Sequence, residues 1–184
     1  TDSLNEKIMQ TIIKPTIEGM SLEKRPFNGL LYAGLMITEN GPKVLEYNVR
    51  FGDPECQVIL TRIASDPLEI FLATAEGRLS EINLEWKKDS SLVIIMATNG
   101  YPGEYQRGSV ILGLEEVEEM IDVNVFHSGT AKKSGNIIAN GGRVLGITAT
   151  GKSLKEAQKI AYSGVEKIGW ENGFYRTDIG NRGL

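Results

Sequence analysis

Leu4, Ile8, Ile12 and Ile13, then Ile17 and Met20, recur at three- and four-residue steps, the spacing of an amphipathic helix that lays its apolar stripe on a sheet. Pro15 lies inside this run and predicts a kink or a restart, because its ring lacks an N–H and collides with the preceding turn. Leu30 to Thr38 is apolar and β-prone, Glu39-Asn40-Gly41-Pro42 is a turn cluster, and Lys43 to Val49 alternates; together they predict a β-hairpin. Asp53-Pro54-Glu55 reads as N-cap, first helical proline and first-turn acid, opening a helix to about Ser65. Asp66-Pro67 repeats that punctuation before a helix reaching about Ala75, with Gly77 as its stop. The unbroken apolar run Leu92 to Ala97 predicts a strand covered on both faces.

Beyond it, short strands are predicted near Val110 to Leu112, Val123 to His127, Asn136 to Ala139 and Arg143 to Ala149, separated by glycine turns. Ser153-Leu154-Lys155-Glu156 is a capping box, and Leu154, Ala157, Ile160, Ala161, Val165 and Ile168 form the buried stripe of the helix it opens. The fold class is α+β, with a soft domain boundary near residue 68: 1–67 holds the hairpin with its helices, and 68–184 is a small mixed α+β domain.

Composition narrows the function classes. With 20 basic and 24 acidic residues the net charge is −4, so no overall positive field draws nucleic acid or anionic lipid. No apolar stretch approaches the ~20 residues of a membrane span. A single cysteine, Cys56, and a single histidine, His127, offer no internal disulfide and no zinc cluster, so both read as structural and the setting as reducing and cytoplasmic. Of 21 glycines, 15 lie between Gly100 and Gly183, making the second half rich in turns and close backbone approaches. The chain opens on Thr1 and enters a helical pattern at once, as a piece of a longer polypeptide does.

Along Val44-Leu45-Glu46-Tyr47-Asn48-Val49-Arg50, alternation puts Glu46, Asn48 and Arg50 on one face. Neighbours on that face are roughly 7 Å apart, and a carboxylate beside an amide oxygen suits Mg²⁺, which keeps waters and phosphates as its other ligands. Arg50 would then hold an anion through its forked guanidinium. The competing reading is the hydrated face of a hairpin strand. Asp53 likewise reads as a helix cap or a substrate contact. Asn140-Gly141-Gly142-Arg143 reads as a phosphate cradle of backbone N–H groups and a fixed cation, or as a hairpin turn. Lys132 and Lys133 read as a solvated loop.

Gly146-Ile147-Thr148-Ala149-Thr150-Gly151-Lys152-Ser153 satisfies the P-loop pattern G-x-x-x-x-G-K-S between a predicted strand and a predicted helix, so a P-loop nucleotide-binding protein is an alternative. Against it, apolar alternation continues through Gly146, Ser153 is better used as a cap, and no Walker B partner follows Leu92 to Ala97.

Leu31-Tyr32-Ala33-Gly34-Leu35-Met36-Ile37, followed by Leu45-Glu46-Tyr47-Asn48-Val49-Arg50-Phe51-Gly52-Asp53-Pro54-Glu55, closely resembles phosphoribosylamine-glycine ligase, an ATP-grasp family of purine synthesis. The likeness continues through Gly100-Tyr101-Pro102-Gly103, Phe126 to Ala131, Asn140 to Leu145 and Tyr175 to Gly180. It implies the C-terminal part of an ATP-grasp lobe followed by a small C-terminal domain. It also implies a reaction joining glycine to 5-phosphoribosylamine with ATP, through glycyl phosphate, to give glycinamide ribonucleotide. On that resemblance Glu46 and Asn48 are the metal ligands for Mg²⁺ or Mn²⁺, and Arg50 stabilises the transferring phosphoryl group. Asp53 meets the glycine ammonium, and Asn140 and Arg143 receive the 5′-phosphate. The family's N-terminal half would be missing, so this polypeptide alone is expected to be inactive. A non-catalytic binding module with the same fold is the remaining alternative.

Overall fold

A computed structural model describes all residues, Thr1–Leu184. The chain divides into two compact units that interleave along the sequence: residues 1–52 with 65–84, and residues 53–64 with 85–184.

The first unit opens with α1 (Asp2–Ile8), a π-helical turn (Met9–Ile13) and α2 (Lys14–Leu22). The α-helix thus resumes at the proline, with Pro15 in the first turn of α2, as the restart reading expects. The turn before it widens so that the Lys14 N–H reaches back five residues to the Met9 carbonyl, which moves the backbone that the proline ring would otherwise strike. The hairpin follows as β1 (Tyr32–Thr38) and β2 (Gly41–Asn48), antiparallel and closed by Glu39-Asn40. Thr16 on α2 meets the Tyr47 hydroxyl at 2.8 Å, so the helix does rest on the hairpin. α4 (Pro67–Ala75) completes the unit. Its Asp66 cap accepts the Leu68 N–H at 2.9 Å. At its far end Gly77, at φ +72°, donates to Thr74, and Arg78 donates to Ala73, a Schellman stop.

The second unit is built on a four-stranded antiparallel sheet ordered β4-β7-β3-β8: β3 (Ser90–Thr98), β4 (Val123–His127), β7 (Arg143–Gly151) and β8 (Gly173–Tyr175). Leu92, Ile94, Met96, Leu145, Ile147 and Ala149 belong to one buried cluster with Ala157, Ala161 and Val165 of α6 (Leu154–Val165). Ser153 caps α6 by accepting the Glu156 N–H at 3.2 Å, and the Glu156 carboxylate accepts the Lys152 N–H at 2.8 Å. Gly146 turns toward Val93, Ile95 and Gln57 of α3 (Glu55–Arg62). Both faces of the central strands are thus covered, as the unbroken apolar run predicts. A small hairpin, β5 (Thr130–Lys133) with β6 (Asn136–Ala139), and the short α5 (Leu114–Glu118) finish the unit.

Several expectations need correction. The helix after Asp53 ends at Arg62, because Ile63 is extended and bridges Trp86. Val110 to Leu112 is not a ladder strand: Val110 bridges Ile138 and Leu112 bridges Gly169 singly. The P-loop reading fails, since Gly146–Gly151 lies inside β7, each residue paired to β3 from Ile95 to Ser90. No open loop remains there to wrap a phosphate, and the Lys152 N–H is spent on Glu156.

Ile147, 0% exposed, and the exposed Asp66 cap give a graded stability test by urea unfolding of this chain. Ile147→Ala should cost about 2–5 kcal/mol through lost burial and a residual cavity, and Asp66→Ala about 1 kcal/mol.

Candidate active site

Two groups of candidate residues form, one in each unit. In the first, β1 and β2 pair regularly from Thr38↔Gly41 to Leu35↔Val44, then slip so that Gly34 faces Glu46 and Leu45 has no partner. A bulge of this kind bends the strand and re-aims the side chains beside it. Gly34 is the residue that lets Glu46 fold inward across the pair: a Cβ there would lie 3.0 Å from the Glu46 Cγ. Asn48 Nδ2 donates to Glu46 Oε1 at 3.2 Å. The acid and the amide therefore stand side by side on one face, as alternation predicts, while Tyr47 on the opposite face serves the helix contact. Glu46 is exposed and Asn48 half-buried, so neither is lost in an apolar interior. The amide presents its nitrogen to Glu46 here; turned about to present Oδ1, it and the neighbouring carboxylate are the hard oxygen donors that Mg²⁺ takes, with phosphates and water completing the shell. No cluster of three or more His, Cys, Asp or Glu side chains offers a closed all-protein site.

Arg50 lies past the end of β2, so strand alternation no longer sets its direction; its Nη1 donates to the Phe51 carbonyl at 2.8 Å. Phe51 is itself held edge-on against Phe71 of α4, with ring centroids 6.0 Å apart.

In the second unit, Asp53 does not cap α3. Pro54 occupies the cap position with no side-chain bond to the helix, and the Asp53 carboxylate instead pairs with Arg143, Nη2 to Oδ2 at 2.8 Å. Arg143 Nη1 also reaches the Asp53 carbonyl at 3.3 Å. Two candidates 90 residues apart in sequence are thereby brought together, a pairing that neither local pattern reveals. Arg143 opens β7 beside a second bulge: Met96 pairs with Leu145 and Ala97 with Arg143, leaving Val144 over. Both partners of the ion pair are more than a third exposed, at 39% and 55%, so the pair itself adds at most about 1 kcal/mol of stability. Asn140 is exposed, and its N–H donates to the Gly129 carbonyl at 2.7 Å.

His127 Nδ1 meets the Thr130 hydroxyl at 3.0 Å. Lys132 and Lys133 are exposed, as expected, but they end strand β5, paired with Ile137 and Asn136 of β6, and are not in a loop. Burial first, and then the Asp53 carboxylate, pushes the Cys56 thiol above its ordinary range. It is accordingly protonated at neutral pH, and its alkylation by iodoacetamide should rise only on the alkaline side of a free thiol's profile. Asp53→Asn removes the smaller of the two causes, so the profile should move part of the way back to lower pH.

Residues 1–56 match the model of "Phosphoribosylglycinamide synthetase, ATP-grasp (A) domain", and residues 91–182 match "Phosphoribosylglycinamide synthetase, C domain". The chloroplastic phosphoribosylamine–glycine ligase of Arabidopsis thaliana is 52% identical over all of this chain and 35% of its own length. The Brucella melitensis ligase is 50% identical over all of this chain and 43% of its own length. Among solved structures, the phosphoribosylamine–glycine ligase of Thermotoga maritima matches with a TM-score of 0.84 and 33% identity, over 96% of this chain and 43% of that one. This chain thus spans well under half the length of these relatives, and it belongs to the phosphoribosylglycinamide synthetase, or phosphoribosylamine–glycine ligase, family.

Proposed function

We propose that this chain supplies the metal ligands and part of the acceptor site of a ligase joining glycine to 5-phosphoribosylamine with ATP, through glycyl phosphate, giving glycinamide ribonucleotide, ADP and phosphate. The contact between Asn48 and Glu46 at 3.2 Å carries this reading, because it sets an acid and an amide where one divalent cation can join both to a triphosphate. Such a cation, Mg²⁺ or Mn²⁺, offsets the repulsion between the nucleotide phosphates and the glycine carboxylate. Glu46 and Asn48 hold it from a strand whose bulge and facing glycine fix their direction.

Arg50 uses one N–H on Phe51 and keeps the rest of its fork for the transferring phosphoryl group. Arg143 presents a fixed cation to the 5′-phosphate of the sugar, with Asn140 at the start of the same turn. Asp53 commits Oδ2 to Arg143, and its other carboxylate oxygen takes the glycine ammonium. This assignment gives each charged group on the substrates an opposite charge and leaves the chemistry to positioning and electrostatics. The remaining elements that cover the nucleotide come from the rest of such an enzyme.

In a complete ligase, Glu46→Ala should abolish Mg²⁺-dependent formation of glycinamide ribonucleotide with an unchanged circular dichroism spectrum, whereas Lys152→Ala should leave the rate within about twofold, the size of a surface effect. A binding module without catalysis would tolerate both changes. This chain alone should show no turnover, and product formed by the purified chain without a partner polypeptide would refute the division of labour.

A further inference from the structure

The turn Asn140-Gly141-Gly142-Arg143 is gripped by residues outside it. Thr98, at the end of β3 and 1% exposed, donates its N–H to the Gly142 carbonyl at 2.8 Å and its hydroxyl to the Gly141 carbonyl at 2.8 Å. Gly129 presses on Gly141 so closely that a Cβ on Gly129 would lie 2.7 Å from the Gly141 Cα. The Tyr101 ring covers Gly142, where an added Cβ would come within 2.1 Å of the ring. Tyr101 is braced in turn by Tyr105, edge-on with centroids 6.3 Å apart. Its loop is closed on itself, a Cβ at Gly100 falling 2.0 Å from the Glu104 carbonyl oxygen.

This grip has a directional consequence. The N–H and C=O of a trans peptide unit point opposite ways, so fixing the Gly141 carbonyl on Thr98 aims the Gly142 N–H away from Thr98. Both glycine carbonyls are consumed while the Gly142 N–H is not among the bonded backbone donors of the turns. An unpaired N–H beside an arginine is a receptor for an anion. We propose that Thr98 and Tyr101 are positioning residues for the sugar phosphate: they hold the Gly142 N–H and the Arg143 guanidinium in one arrangement, and so set affinity for phosphoribosylamine without touching it. This rests on the assignment of Arg143 to the phosphate.

The test uses a complete ligase carrying Thr98→Val, which keeps the volume and removes the hydroxyl, Thr98→Ser, which restores it, and Arg143→Ala. Thr98→Val should raise KM for phosphoribosylamine about tenfold, the loss of one well-placed hydrogen bond. The KM for ATP and kcat should stay within about twofold, and Thr98→Ser should recover the wild-type KM. If Arg143→Ala leaves KM for phosphoribosylamine unchanged, the phosphate assignment falls and the proposal with it. If Arg143→Ala raises that KM and Thr98→Val does not, the assignment stands and the positioning role is overturned. A Thr98→Val enzyme weakened equally toward all three substrates, or not rescued by serine, also overturns it. Should Thr98→Val fail to fold, Tyr101→Ala makes the same measurement from the other contact. A selective rise in KM for phosphoribosylamine supports the proposal, and an unchanged value rejects it.

Discussion

The antiparallel pairing of β3 with β7 is the constraint on which the second unit depends. It places two apolar strands at the centre of the sheet, with α6 closing one face and α3 meeting the other. The same pairing carries Thr98 and Arg143 to one end of the sheet, because the two residues sit at neighbouring ends of the paired strands. Packing and placement of the candidate site are therefore one event: the ladder that excludes water along Ile94 and Ile147 also delivers the cation.

Irregularity in the ladders recurs where chemistry is assigned. Leu45 is the extra residue next to Glu46, and Val144 the extra residue next to Arg143. Both bulges adjoin stretches of regular pairing, and both lie next to a charged side chain to which a role is proposed. Glycines do related work in this chain. Gly34 and Gly142 are defined less by their own conformation than by the Glu46 and Tyr101 side chains that lie against them.

Periodicity made much of this legible. The hairpin, the apolar central strand, the capped helix from Ser153 and the second Asp-Pro helix start are local signals and appear where the pattern puts them. Alternation also placed Glu46 beside Asn48 and exposed the P-loop match as a strand. What stayed hidden is non-local. Asp53-Pro54-Glu55 is a good cap signal by itself, and only the fold reveals that Arg143, far along the chain, takes the carboxylate first. Val110 to Leu112 has strand composition but meets two different neighbours for one residue each. The π turn before Pro15 is a backbone adjustment with no compositional mark. β5 and β8 are too short to show a period, and Thr98 is an ordinary strand residue until its two carbonyl partners are seen.

The interleaving of the two units bears on how such a protein is dissected. Residues 53–64 belong with the sheet unit although residues 65–84 intervene before the rest of it. No single scission releases both units whole. A piece trimmed to the matched C-domain span, 91–182, would leave behind α3, stripping a helix from one side of the sheet and depriving Arg143 of its counterion. What similarity delimits as a domain is here narrower than what the chain folds as one.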